Sequence, residues 1–331
     1  MQEKNLPGII TLMYHRVDRK DTDPWRICVS PDNFEKHIKI LQSNFNVISI
    51  NDINDILASG NLEKNSICIT FDDGYEDNFL YAKPVLERYN CPATFFIATG
   101  YVDQPSFWWD DLEIIFLHLE HLPEKLIIEI MGKEEEYIIN ETELSSNQWL
   151  QHKRWRWYQL APTSRCKIYL TIWEKLFTMD NNNITKIVNT IKQWAGYDEN
   201  IKRLRSPLKF LQLRDLLKNK LFTIANHTHT HCNLNKSSRN SQLEEILKSE
   251  KYLKENYGIE SHFFSYPFGQ YNNESLYIVN KLQMKGCFTT KACNITVGTN
   301  KTELGRYQVF NWNGKTFEKQ IRKWFTTQFA I

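Results

Sequence analysis

Short apolar runs that stop abruptly at charged or metal-seeking residues constrain this chain more than any other feature. Ser66-Ile67-Cys68-Ile69 runs into Thr70-Phe71-Asp72-Asp73-Gly74-Tyr75, and Leu221-Phe222-Thr223-Ile224-Ala225 runs towards His227-Thr228-His229-Thr230-His231. Similar runs, Ile9–Tyr14, Val47–Ile50 and Ala93–Ile97 among them, alternate with amphipathic segments. One such segment is a helix from Ser30-Pro31-Asp32 to about Gln42, with Ser30 or Asp32 as cap and Phe34, Ile38 and Leu41 on one face. Another covers Tyr81–Tyr89. Strands alternating with helices predict a mainly parallel sheet or barrel. In a barrel, the chemistry collects at the carboxyl ends of the strands.

The rhythm changes between about Pro105 and Pro207. Phe107-Trp108-Trp109 leads a helix-like stretch to about Leu119. Leu126–Ile130 and Glu135–Asn140, parted by Met131-Gly132-Lys133, read as a hairpin. Helices are expected around Gln148–Leu160, Ser164–Phe177 and Ile184–Trp194, with Asn181-Asn182-Asn183 as a loop. The earlier rhythm returns with a helix near Leu208–Lys218, the histidine strand and a helix over Gln242–Tyr257. Strands near Phe263–Tyr266 and Gly286–Thr289 follow. The predicted organisation is a barrel of residues 1–104 and 208–331, interrupted by a mostly helical insertion, 105–207.

With 331 residues, 41% hydrophobic and 13% aromatic, the chain can build such a core. A formal charge of +2 argues against a nucleic-acid binder with a broad electropositive face. No apolar stretch approaches the roughly 20 residues of a transmembrane helix. Met1–Gly8 lacks the basic-then-apolar pattern of a signal peptide. Seven scattered cysteines without a CxxC pair read as small buried hydrophobes in a reducing cytoplasm, so a cytoplasmic protein is expected. Nothing in the sequence signals an oligomeric state.

Adjacent carboxylates repel and are costly to desolvate together, so Asp72-Asp73 at a strand end calls for a cation or a chemical task. Three of the nine histidines fall within five residues. His227 and His231, spaced i, i+4, can meet one cation across a helical turn or a tight loop. His227 and His229 can share one face of a strand. The run after the histidines reads as a strand end turning into a helix, which favours the outer pair. Imidazole plus carboxylate suits zinc, with nickel, cobalt, manganese or iron as alternatives. The combination suggests a metal-assisted hydrolase.

Lined up, these residues resemble the polysaccharide deacetylase family, carbohydrate esterase family 4, whose core is the NodB-type domain. Thr70–Gly74 matches its Thr-Phe-Asp-Asp-Gly motif, and His227, Thr228 and His231 match its His-Ser/Thr-x-x-His motif. Cys91–Ile97 looks like the family's following strand. The resemblance implies an α/β fold, an irregular (β/α)7-type barrel. It implies Asp72 as general base, with Asp73, His227 and His231 as ligands of a divalent metal ion. Leu12-Met13-Tyr14-His15 is similar to the family's acid motif, which opens the domain in a permuted branch, so His15 becomes the general acid. The Phe268 backbone N–H would contribute to an oxyanion hole. The family's Arg-x-Pro-x-Gly motif reads Ser265-Tyr266-Pro267-Phe268-Gly269 here, without the arginine that orients the base. Arg306 is either its substitute or a surface arginine.

The implied activity is metal-dependent N-deacetylation of an N-acetylated sugar. A nucleotide- or lipid-linked precursor of a surface glycan fits the expected cytoplasmic location. The alternatives are another amide hydrolase, such as a deformylase or a non-sugar amidase, and a non-catalytic glycan-binding barrel. Substrate contacts are sought at Arg306, Trp109, Asp110 and Tyr266, although Trp108-Trp109 reads more readily as core of the insertion. Lys153-Arg154-Trp155-Arg156-Trp157 reads as a solvated basic helix face. His118, His121, His152 and His262 read as structural, and His229 as a bystander or a support to the ligands.

Overall fold

The structure, a computed structural model, describes residues 7–19, 21–197 and 206–326. The chain forms two compact units, one from residues 1–19, 27–103 and 207–331 and the other from 20–26 and 104–206.

Among the described residues, eight parallel strands build the main sheet of the first unit. They are β1 (Ile9–Tyr14), β2 (Asn46–Ile48), β3 (Ser66–Phe71), β4 (Ala93–Ile97), β5 (Phe222–Asn226), β6 (Phe263–Ser265), β7 (Gly286–Phe288) and β8 (Tyr307–Gln308). Seven run in the order β7-β6-β5-β4-β3-β1-β8, and β2 pairs with β3 off that path. β2 takes the early half of β3, Asn46 opposite Ser66, and β4 takes the late half, Thr94 opposite Thr70. Every residue of β1, β3 and β4 is buried. That explains their unbroken apolar runs, since a parallel sheet is covered on both faces. Leu304 bridges Phe288 while Tyr307 pairs with Leu12, so the stretch 304–308 spans the seam between the two ends of the path. The result is the expected irregular α/β barrel.

The helices follow their local signals. Ser30 accepts the Asn33 N–H, and Phe34, His37, Ile38 and Leu41 form the buried stripe of Pro31–Asn44. The strand expected over Val47–Ile50 stops at Ile48, because Ser49 and Asp52 form a capping box that starts the helix Ile50–Ser59. The helix expected over Tyr81–Tyr89 is a π turn, Asn78–Ala82, followed by Lys83–Arg88. Pro84, which has no N–H to donate, sits in the first turn of the latter.

The second unit carries the predicted hairpin, Lys125–Ile130 against Lys133–Ile138. Met131 and Gly132 both have positive φ, as a two-residue hairpin turn requires. Its helices are Trp108–His118, Ser146–Arg154, Ser164–Leu176 and Asn181–Trp194. The asparagine run is the first turn of the last of these rather than a loop, since Asp180 caps the Asn183 N–H. The helix expected to reach Leu160 ends at Arg154, where Trp155 turns extended and buries its ring against Tyr169. Lys153 pairs with Asp21 at 3.3 Å, and Arg156 bonds to the Lys153 and Trp155 carbonyls.

The stretch 20–26, expected in the barrel, belongs to this unit. Thr22 bonds to Glu113 and His118, and Trp25 donates to the Tyr169 hydroxyl at 2.7 Å while packing on Trp173. His152 is buried between Leu117 O and Thr163 Oγ1, and His121 pairs with Glu143. Among the described residues, no helix is long and apolar enough to cross a membrane.

Candidate active site

Four strand ends of the first unit deliver five chemically active side chains to one place, and the residue before β8 supplies a sixth. Asp72 and Asp73 follow β3, His227 follows β5, Ser265 ends β6, His15 follows β1, and Arg306 precedes β8. Asp72 continues the ladder, its N–H donating to Tyr14 O at 3.0 Å. Asp73 then turns left-handed, φ +73°, and Gly74 does the same at +91°. Aspartate tolerates this region better than most residues. The reversal sends two neighbouring carboxylates to different partners.

Asp73 goes to the histidines. Its Oδ1 lies 3.1 Å from His231 Nε2 and 3.5 Å from His227 Nε2. Ligand atoms of the three residues lie within 4.8 Å of one another, and all three residues are buried. His227 Nδ1 lies 2.8 Å from Ser265 O, a pure acceptor, so Nδ1 carries a proton and Nε2 is the nitrogen turned to Asp73. Burial alone would raise the Asp73 carboxyl. The charge of His231 and hydrogen bonds from both histidines overcome this and hold it well below the ordinary carboxylate range. Burial also lowers the His231 imidazole against the pull of Asp73. A buried carboxylate with two imidazole nitrogens beside it is the donor set a divalent cation requires, so these three residues fit one.

Asp72 goes to Arg306. The guanidinium Nη1 and Nη2 each lie 2.6 Å from one Asp72 oxygen, a bidentate pair. Nη2 also donates to Ser265 Oγ at 2.7 Å, Nη1 to Thr70 Oγ1 at 3.3 Å, and Nε to Thr289 O at 3.0 Å. These bonds engage all five donors of a side chain with no exposed surface. Burial would raise the Asp72 carboxyl, but Arg306 first, then His227 and His15, hold it below its ordinary value. Ser265, where the motif arginine was expected, is small enough to let a guanidinium from the neighbouring segment fill the space.

His15 is half-buried at the end of β1. Its charge helps to lower both aspartates. Asn78 Nδ2 donates to its carbonyl at 2.9 Å, and Asp77 takes Arg16 Nε at 2.8 Å and the Val17 N–H at 3.0 Å. Arg16, Asp77 and Asn78 therefore tie the segment after β1, which carries His15, to the aspartate loop. The sequence reading missed them, although Arg16 adjoins His15 and Asp77-Asn78 closely follows the acid pair. Phe268 has a left-handed backbone, φ +57°, and its ring meets His231 edge-on at 4.3 Å. His229 points elsewhere, its Nδ1 lying 3.1 Å from Thr99 Oγ1.

The four residues expected to touch substrate are all buried. Arg306 serves Asp72 instead. Tyr266 is fully enclosed, its hydroxyl donating to Thr302 O at 2.9 Å and its ring stacked on Tyr271. Trp109 stacks on Phe107 at 4.7 Å, and Asp110 is 1% exposed, both within the core of the second unit. The tryptophans take the place in the insertion's core that their sequence favoured, and Asp110 is buried with them.

The sequence profile of the family described as Polysaccharide deacetylase matches residues 59–142 and 175–287. A poly-beta-1,6-N-acetyl-D-glucosamine N-deacetylase of Staphylococcus aureus (strain MRSA252) is 22% identical over 299 residues, 89% of this chain and 71% of that protein. Among solved structures, IcaB from Ammonifex degensii is similar with a TM-score of 0.60 and 17% identity, over 98% of this chain and 100% of that one. The Streptococcus pyogenes deacetylase PplD in complex with acetate has a TM-score of 0.58 and 17% identity, over 94% and 97% of the two chains. These structures are alike in fold.

Proposed function

The chain belongs to the polysaccharide deacetylase family, and from that premise we propose that it removes acetyl groups from N-acetylated sugar residues of a surface glycan. The observation that carries this reading is the division of the acid pair, Asp72 to a buried arginine and Asp73 to two histidines. A binding module would need neither an ionised base held by a dedicated cation nor a histidine opposite it.

Asp73, His227 and His231 would hold a divalent ion, zinc before nickel, cobalt, manganese or iron. When bound, such an ion supplies a Lewis acid that polarises the amide carbonyl and acidifies water. Asp72, ionised and steered by Arg306, takes the proton of the attacking water. The Phe268 N–H would contribute to the oxyanion hole, a role worth about 3 kcal/mol for such a donor. His15 gives its proton to the departing nitrogen. The C–N bond breaks, leaving a free amine on the sugar and acetate.

The curated relative named for poly-beta-1,6-N-acetyl-D-glucosamine supports a β-1,6-linked N-acetylglucosamine polymer as the substrate. The precursor expected from a cytoplasmic location remains the comparison. Acetate release from β-1,6-linked oligomers and from nucleotide-linked N-acetylglucosamine, measured side by side, separates the two. Cell fractionation adds an independent test, with a cytoplasmic protein favouring the precursor. Asp72→Asn should lower the rate by roughly 10²- to 10⁴-fold and keep the metal. Activity persisting in that variant would overturn the base assignment, and formate release from an N-formyl sugar without acetate release would favour the deformylase.

A further inference from the structure

The loop carrying His227 and His231 is bent in a way its own residues do not favour. Thr228 and His231 both take left-handed backbone angles, φ +63° and +55°. A β-branched residue such as Thr228 rarely enters that region, so the surroundings must hold the loop there. Three anchors do so. Asn226, buried at the end of β5, accepts the Thr228 N–H at 2.8 Å and donates through Nδ2 to Ile246 O at 3.1 Å. Thr99 N–H donates to Thr228 O at 3.2 Å, and Gly100 N–H to His229 O at 2.7 Å. The third anchor is Glu245, half-buried on the helix Arg239–Tyr257.

Glu245 Oε2 accepts the N–H groups of both His229 and Thr230, at 3.1 and 2.7 Å. Its Oε1 accepts the Thr230 hydroxyl at 2.9 Å. Two successive backbone N–H groups turned towards one oxygen form an anion-binding concavity, filled here by a carboxylate from outside the loop. Such charge-assisted bonds are among the stronger ones a protein makes. Glu245 and Ile246 are consecutive, so one helical turn grips the loop at two points.

We infer that Glu245 is a positioning residue for the metal centre. Its carboxylate holds residues 229–230, between the two histidine ligands, and so sets the spacing at which His227 and His231 face Asp73. This rests on the metal site proposed above. The role needs an acceptor for two N–H groups, which a glutamine also supplies.

The test is zinc affinity of the full chain, measured by competition with a chromophoric chelator. Glu245→Ala should bind zinc roughly 10- to 100-fold more weakly, the usual cost of removing a group that orients metal ligands. Saturating zinc should return KM to the wild-type value and recover most of kcat. Glu245→Gln should regain most of the lost affinity. Wild-type affinity in Glu245→Ala, or a Glu245→Gln protein as weak as Glu245→Ala, overturns the inference. Should Glu245→Ala not fold, Thr230→Val removes one of the three bonds, and there a weakened affinity supports the role while an unchanged one refutes it. His231→Ala separates the two readings. If it binds zinc like wild type, the metal site itself is wrong. If it loses zinc while Glu245→Ala does not, only the role of Glu245 falls.

Discussion

Arg306 meets Asp72 with one terminal nitrogen on each carboxylate oxygen, both at 2.6 Å, and neither side chain is open to solvent. A buried pair of this kind is costly to break from one side, because the remaining charge keeps its desolvation cost.

Arg306→Lys keeps the charge but offers no planar fork, so it should lower kcat by roughly 10²-fold with little change in KM. Arg306→Met should cost about 3–5 kcal/mol in urea unfolding. It should also move the acidic limb of kcat/KM to higher pH. Burial then acts on Asp72 without its largest opposing charge, and the base protonates sooner as pH falls.

Chelation should abolish acetate release, and added divalent ions should restore it. Ligand binding stabilises the folded state by about 4 kcal/mol at ~1,000 times Kd, so thermal midpoints measured with zinc, cobalt, nickel and manganese in turn should rank the ions. Asp73→Ala should lose that increment for every ion.

His37 is buried beneath β1, with Nε2 2.7 Å from Trp312 O, Nδ1 3.3 Å from the Tyr14 hydroxyl and its ring stacked on Phe317. Burial, only partly opposed by the Trp312 carbonyl, lowers it from 6.5 to about 4. The folded chain therefore keeps the neutral form where the unfolded chain takes up a proton. Stability should fall as pH drops from about 6.5 towards 4, by about 2 kcal/mol between pH 7 and 5 from this group. Urea unfolding at the two pH values should show the loss in wild type and a smaller one in His37→Gln.

Gly269 has φ +66°, and a Cβ there would meet Thr290 Oγ1 at 2.1 Å. Gly269→Ala should destabilise by more than about 1 kcal/mol and lower kcat through the neighbouring Phe268 N–H. Adding Thr290→Ala should recover part of the thermal midpoint, because the nearest clashing atoms are gone.

The strand ends were legible because each apolar run is short, doubly buried and followed at once by residues with no reason to lie in a core. Asp73, His227 and His231 were legible for the same reason. Arg306 was only half legible. Gly305-Arg306-Tyr307 has the composition of a surface turn, and only the pairing of β8 with β1 brings it to Asp72. The left-handed step at Asp73, which parts the two carboxylates, leaves no mark in composition. In the insertion, the asparagine run looked like a loop because its cap, Asp180, precedes it and its apolar stripe begins only at Ile184. Residues 20–26 carry no periodic signal, and their place with the second unit depends on Thr22 and Trp25 finding partners far along the chain.

β8 lies beside β1, and Arg306 comes to Asp72 from 234 positions downstream. A nascent chain translated through the histidine loop would already own the proposed acid, base and three ligands. The base would still lack the cation that keeps it charged and aimed. Hydrolytic competence therefore waits for the last described strand to dock, which makes the seam of the barrel a checkpoint on completion: a truncated polypeptide can fold much of the sheet and still be silent.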